Sequence, residues 1–362
     1  MLRALQPCAA TNLRASRVLL RCCRSRGYDC SRGRGLARNA GNSDPDRPCR
    51  PLAAAGCAQT RVSSGGNHHV SGRARAAFAI GRASLHTWPM LFATDLDGTL
   101  VDRQDGIHPR DREAIEAARA RGVVVTIATG RLTSRTHSVA RALGLETPLV
   151  CADGGVLACG ATERVLRRRH VPEDLAAQIL DTFRLAELAS FVMTPAVIHG
   201  CQRGQTHHGY MQGWADRFIT HADLLGANAW RSDDQGAIML VGIGEEAAAD
   251  SVMRGLARHD ALIDTVSFPG AGGRVVRVMV KGASKGAALA ELAHELGIDP
   301  ARVAVAGDWL NDLSMFAFAG RSFAMPHAPP EVRAAATHAL EHDVTRHGAF
   351  ADALEAWLKE LS

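Results

Sequence analysis

The stretch Val-Val-Val-Thr-Ile-Ala at 123–128 constrains this chain more than any other. Apolar and β-branched residues run on without polar alternation. Such a strand is stable only where both of its faces are covered, as in a parallel sheet flanked by helices. The neighbouring patterns fit that frame. Residues 90–94 form a second apolar run that ends at Asp95. Residues 109–121 have helical spacing, with Pro109 at the start and Gly122 as a stop signal. Residues 133–143 predict a helix closed by Gly144, and 148–152 another buried strand. Strand and helix alternating at this spacing predict an α/β fold built on a parallel sheet. The pattern returns late, with a helix at 285–296 capped by Ser284, a strand at 303–306, and helices at 331–337 and 350–361. Between the two halves the rhythm differs: helices at 172–189 and 245–259, strands at 191–198, 237–243 and 263–268. We read residues 90–168 and 276–362 as the core domain and 169–275 as an inserted α+β domain.

Residues 1–89 have another texture. They hold fifteen Arg, no Lys and only three acids, a net +12, so the remainder carries −7. The basic balance of the whole chain therefore says nothing about nucleic acid at the folded part. This leader shows no helical or strand periodicity and too little apolar surface to offset chain entropy. An organellar transit peptide or a disordered basic tail would have this composition. The expectation preferred here is that translation starts at Met90 and the protein is cytoplasmic, with organellar import only if the leader is genuine. Six of the nine cysteines lie in the leader without metal-site spacing, and Cys151, Cys159 and Cys201 read as reduced thiols. No run of about 18 apolar residues suggests a membrane span.

Four clusters of chemically capable residues fall at strand–loop junctions, where open α/β sheets bind ligands. Asp95-Leu-Asp97-Gly98-Thr99 follows the first strand, and two acids two apart on extended backbone share one side. Such a pair wants a cation or a shared proton, and Gly98 permits a tight turn that exposes N–H groups to an anion. A calcium loop fails, since Leu100 and Gly106 stand where Gly and Glu are required. Thr129-Gly130-Arg131 follows the 123–128 strand, with a hydroxyl and a guanidinium suited to phosphate. Lys285 opens a helix, where a cation and the helix dipole can face an anion together. Asp308, Asn311 and Asp312 follow the 303–306 strand. Each cluster alone is weak: a turn, a surface lysine or a capping acid explains it. Together they mark one edge of one sheet.

In this order and spacing, residues 90–362 resemble the haloacid dehalogenase superfamily, in particular its Cof-type, subfamily IIB members. The quoted segments carry the likeness, with Ala152-Asp153-Gly154-Gly155 before the inserted domain. The resemblance implies a Rossmann-like core with an inserted α+β (C2-type) cap. It also implies a Mg²⁺-dependent phosphatase acting on a small phosphorylated metabolite such as a sugar phosphate, nucleotide or cofactor phosphate. Under it Asp95 is the nucleophile and Asp97 the acid and base. Asp95, the Asp97 carbonyl and Asp308 hold Mg²⁺. Gly98, Thr129, Gly130 and Lys285 hold the phosphoryl group, Asn311 contacts it or its ligands, and Asp312 orients Lys285 or a metal-bound water. Thr99 and Arg131 support these groups. No nucleic acid or membrane partner is implied, and the chain is expected to be a monomer or homodimer. A phosphomutase, a dedicated sugar-phosphate phosphatase and a non-catalytic phosphometabolite binder are the competing readings. An acid at 97 favours turnover over a lasting phosphoenzyme.

Three departures from the family pattern stand out: Asp153 where Asn is usual, Trp309-Leu310 where small or polar residues are common, and Pro326-His327 for Gly-Asn. His199, His207, His208 and His221 read as exposed polar filler. Trp214 and Trp230 read as packing, and Arg167, Arg168 and Arg169 as a solvated hinge strand.

Overall fold

The computed structural model describes residues 89–360, apart from 103, 105, 232–235 and 343, so the reading of the leader lies outside the described residues. The chain opens with β1 (Met90–Thr94), α1 (Pro109–Ala120), β2 (Val123–Ile127), α2 (Thr133–Ala142), β3 (Leu149–Cys151), β4 (Val156–Ala158) and β5 (Val165–Arg168). It continues through α3 (Glu173–Leu185), β6 (Ala189–Met193), β7 (Ile198–Cys201), β8 (Phe218–His221), β9 (Met239–Gly244), α4 (Glu246–Leu256), β10 (Ile263–Gly270) and β11 (Gly273–Val280). It closes with α5 (Lys285–Leu296), β12 (Val303–Gly307), α6 (Leu313–Phe318), β13 (Arg321–Ala324), α7 (Pro330–Ala335), β14 (His338–Ala339) and α8 (Ala349–Glu360).

The core sheet has the order β14-β13-β12-β1-β2 and is parallel throughout, as two-sided burial requires. Within β1, Phe92 faces a layer with Phe350 and Trp357 at ring-centroid distances of 5.3 and 5.6 Å. Leu91 and Ala93 face the opposite layer with Leu289 and Met315. A single parallel bridge, Ala128 to Val150, brings β3 beside β2. The β3-β4-β5 unit is an antiparallel extension of the core. Its middle strand, β4, is three residues long and carries no periodicity to read in advance.

The cap is a six-stranded sheet, β10-β11-β9-β6-β7-β8, antiparallel except for β7 with β8. Phe183 of α3 and Val252 of α4 pack on one face with Val276 and Val278, while Val275 and Met279 point to the face that meets the core. The expected strand at 191–198 is two strands: β6 ends at Met193 and β7 starts at Ile198, and the Thr194 amide closes the turn on the Val197 carbonyl at 2.9 Å. The expected boundary at 275/276 cuts through β11, which pairs with β9 from Arg274 to Met279. The cap sheet therefore runs to Val280.

Arg167 donates to Glu291 and Glu295, and Arg169 to Glu291, all on α5. Two of the three hinge arginines, Arg167 and Arg169, are thus paired with acids rather than simply solvated. Trp230 is buried packing, as expected. His199 differs from its expected exposed role: it is buried, with Nδ1 2.9 Å from His221 Nε2.

One buried acid makes stability depend on pH. Asp111 of α1 accepts the Ala351 amide at 2.8 Å, so it ties α1 to the start of α8. Burial raises its pKa to about 7, against the opposing hydrogen bond from Ala351. The native state therefore holds this proton more tightly than the unfolded chain. The resulting stability is complete below the ordinary carboxyl pKa of about 4 and is lost as pH rises through 7. Asp111→Asn should flatten the fall in unfolding free energy between pH 4 and 7, measured by urea titration at several pH values. An unchanged slope would assign the pH dependence to other groups.

Candidate active site

The carboxyl ends of β1, β2 and β12 bring the four sequence clusters together. The Asp95 amide donates to the Ala306 carbonyl at 2.9 Å, which extends the β1–β12 ladder by one residue and fixes where its side chain emerges. Lys285, at the first turn of α5, is 1% exposed and lies 2.7 Å from both Asp95 Oδ1 and Asp312 Oδ1. The other Asp312 oxygen accepts the Asp308 and Trp309 amides at 2.9 and 3.0 Å. Both Asp312 oxygens are thereby committed, and its place is to orient Lys285 and the 308–309 backbone. Burial works against the Lys285 ammonium, yet Asp312, Asp95 and Asp153 outweigh it and raise its pKa. Burial raises the pKa of Asp95; Lys285 opposes this, and Asp312 and Asp308 add to it.

Asp95, Asp308 and Asp312 have carboxylate oxygens within 4.8 Å of one another. Three buried acids around one ammonium leave an excess of negative charge, a donor set that fits a hard divalent cation. Asp312, with Lys285 on one oxygen and two amides on the other, has less capacity left for a ligand than Asp95 or Asp308. Thr99 Oγ1 donates to Asp308 Oδ1 at 3.2 Å, and His327 Nε2 lies 3.2 Å from Asp308 Oδ2. Gly98 has φ +80°, and a Cβ there would lie 2.7 Å from Asp308 Oδ2, so turn geometry and close approach both require glycine.

Asp97 turns away from this cluster. Its side chain is 59% exposed and is gripped by the buried Arg131 guanidinium, Nε to Oδ2 at 2.8 Å and Nη2 to Oδ1. Such a fork fixes the plane of the carboxylate as well as its position. The Thr129 hydroxyl accepts the Arg131 amide at 3.2 Å and is wholly buried, so Gly130 and Arg131, not Thr129, line the cavity. All the candidate residues of the sequence therefore gather at one edge, with Thr129 and Lys285 behind the surface.

Three participants were not assigned from sequence. Asp153, in left-handed backbone at φ 50°, is held by Asn311 Nδ2 at 2.8 Å and by Arg277. Burial alone would raise its pKa, but Arg277 and Lys285 hold it below the usual carboxylate range. Arg277 comes from β11 of the cap, so this ion pair crosses from core to cap. His327 is the third. The departures at 153 and 327 from the expected Asn were the available signals. Arg277 gave none, because β11 fell across the expected domain boundary. Trp214, expected as packing, lines the cavity.

A parallel α/β core that carries its acids at the strand ends, roofed by an inserted cap over a cavity of about 500 Å³, is the architecture of a capped hydrolase. The chain belongs to the haloacid dehalogenase-like hydrolase family, which it matches over residues 92–354. It is similar to a 5-amino-6-(5-phospho-D-ribitylamino)uracil phosphatase of Bacillus subtilis, with 27% identity over 275 residues, 68% of this chain and 90% of the relative. An HMP-PP phosphatase of Klebsiella pneumoniae is 27% identical over 280 residues, 74% of this chain and 95% of the relative. The crystal structure of a haloacid dehalogenase-like hydrolase from Bacteroides thetaiotaomicron shares the fold at TM-score 0.63 and 22% identity, covering 74% of this chain and 99% of that one. Among the described residues no helix is long and apolar enough to cross a membrane.

The Lys285 contacts carry a stability prediction. Lys285→Met should leave the Asp95, Asp308 and Asp312 acids without their internal cation, at a cost of about 3–5 kcal/mol in urea unfolding of the metal-free protein. Adding Asp312→Asn should recover part of that loss. A Lys285→Met protein as stable as wild type would show that the ammonium does not balance these acids.

Proposed function

We propose that the protein is a Mg²⁺-dependent phosphatase that hydrolyses a small phosphorylated metabolite through phosphoryl transfer to Asp95. The observation that carries this reading is the division of labour between two acids. Asp95 is buried against Lys285, while Asp97, two residues on, opens to the cavity in the grip of Arg131. Its relatives, named as phosphatases, support the reaction class.

Asp95 and Asp308 would hold the metal ion, which when bound offsets the repulsion between carboxylate and phosphate and helps orient them. Lys285 fixes the Asp95 carboxylate and supplies positive charge where the phosphoryl oxygens gather. An Asp95 oxygen attacks phosphorus as the ester P–O bond breaks, and Asp97 gives a proton to the departing alkoxide. Asp97, now ionised, takes a proton from the water that attacks the aspartyl-phosphate, which frees Asp95 and inorganic phosphate. The cap roofs the cavity and limits access by bulk water during the first step.

Asp95→Asn should abolish turnover of phosphate monoesters and should never gain the mass of a phosphoryl group. Asp97→Asn should retain the nucleophile and slow turnover by about 10²–10⁴-fold. With an activated aryl phosphate, which needs little leaving-group protonation, it should accumulate phosphorylated protein that hydroxylamine reverses. Normal turnover by Asp95→Asn would overturn the assignment. Separately, excess chelator should stop turnover, Mg²⁺ should restore it, and Asp308→Asn should raise the Mg²⁺ concentration needed. Full activity in chelator would exclude the metal.

A further inference from the structure

The cavity is chemically lopsided. One end holds the charged groups just described. The rest, where the non-reacting part of the substrate must lie, is walled by Tyr210, Trp214 and Phe268 of the cap and by Trp309 and Leu310 of the core. Trp309 and Leu310 are 52% and 43% exposed, two large apolar side chains in succession directly after the metal-binding Asp308. The Trp309 amide is bonded to Asp312, so the backbone is fixed and the indole is presented from a rigid loop. On the cap side, the Tyr210 and Trp214 rings lie 5.8 Å apart, tilted by 58°, and both line the cavity.

Of the polar side chains here, Arg277, Asp153 and Asn311 bind one another, while the Ser267 hydroxyl of β10 also lines the cavity and is buried with no partner among the described residues. Arg277 donates to Asp153, and Asn311 Nδ2 donates to the other Asp153 oxygen. Asn311 Oδ1 is a buried acceptor with no partner among the described residues, which suits a single donor on a ligand. A polyol such as a hexose presents hydroxyls around its whole perimeter. Moving it from water into these walls would leave several of them unpaired, at a cost of about 1–3 kcal/mol for each one buried without a partner. A flat aromatic ring presents faces to faces and one edge to Asn311. The volume of about 500 Å³ accommodates such a molecule.

Resting on the phosphatase reading above, we propose that the substrate is a phosphate ester of an aromatic or heteroaromatic alcohol, and that Trp309 is the residue that selects it by stacking. The comparison that tests this uses three esters of similar alkoxide leaving ability: benzyl phosphate, cyclohexylmethyl phosphate and a hexose 6-phosphate. Benzyl phosphate should exceed the hexose ester in kcat/KM by about tenfold or more and should exceed cyclohexylmethyl phosphate by a smaller factor, the part due to stacking alone. Trp309→Ala should reduce the benzyl-to-hexose ratio by about tenfold, and Trp309→Phe should restore most of it. Because Trp309 is exposed, neither change threatens folding. Binding of the same esters to Asp95→Asn, read by tryptophan fluorescence and calorimetry, reports the preference without turnover. Equal or better use and binding of the hexose ester, or a ratio unmoved by Trp309→Ala, would overturn the aromatic assignment while leaving the phosphatase intact. Ring-selective binding by a protein that hydrolyses none of the esters would instead overturn the phosphatase reading and keep the aromatic site.

Discussion

A single ammonium, Lys285 Nζ, organises the candidate site of this protein. It stands between Asp95 at the end of β1 and Asp312 beyond β12, 2.7 Å from each, and is almost fully withdrawn from water. An isolated charge in that position would be prohibitive, and so would either acid alone. The three groups are mutually necessary, and they tie α5 to two adjacent strands of the sheet. Asp312 extends the arrangement by holding the Asp308 and Trp309 amides, so one contact network sets the positions of Asp308 and of the aromatic wall. Chemistry and recognition here share one scaffold.

Asp97 shows the complementary strategy. It lies only two residues from Asp95, yet it is exposed and held by a guanidinium fork instead of a buried ammonium. Gly98 makes the divergence possible, since its left-handed turn leaves no Cβ to collide with Asp308. Two carboxylates of one tripeptide are thereby given different surroundings, and groups in different surroundings can take different parts in a reaction.

Much of this arrangement was legible in the sequence because its determinants are local. Uninterrupted apolar strands, a proline and a serine at helix starts, and acids at strand ends place the core sheet and the edge that holds the candidate site. The cap was harder to read. Pro195 lies between β6 and β7, and the apolar run across it reads as one strand when it is two. The segment of β11 reads as the return to the core, although it folds back on the adjacent β10 in a hairpin and pairs with β9 on its other side. Arg277 and the His199–His221 pair were overlooked or misread because their partners are brought to them only by tertiary structure. Asp153 and His327 were visible only as departures from a family pattern, and geometry was needed to show what each one touches.

The junction between β11 and α5 is short. Four residues, 281–284, separate the last residue of the cap sheet from Lys285. Arg277, three positions before that end, is clamped to Asp153 of the core. The strand that roofs the substrate and the helix that carries the central cation are therefore spliced in series, with little slack between them. The linker is itself tied to the cap, with the Lys281 amide on the Leu262 carbonyl and the Gly282 amide on Asp264, so cap and helix are spliced rather than hinged on a free loop.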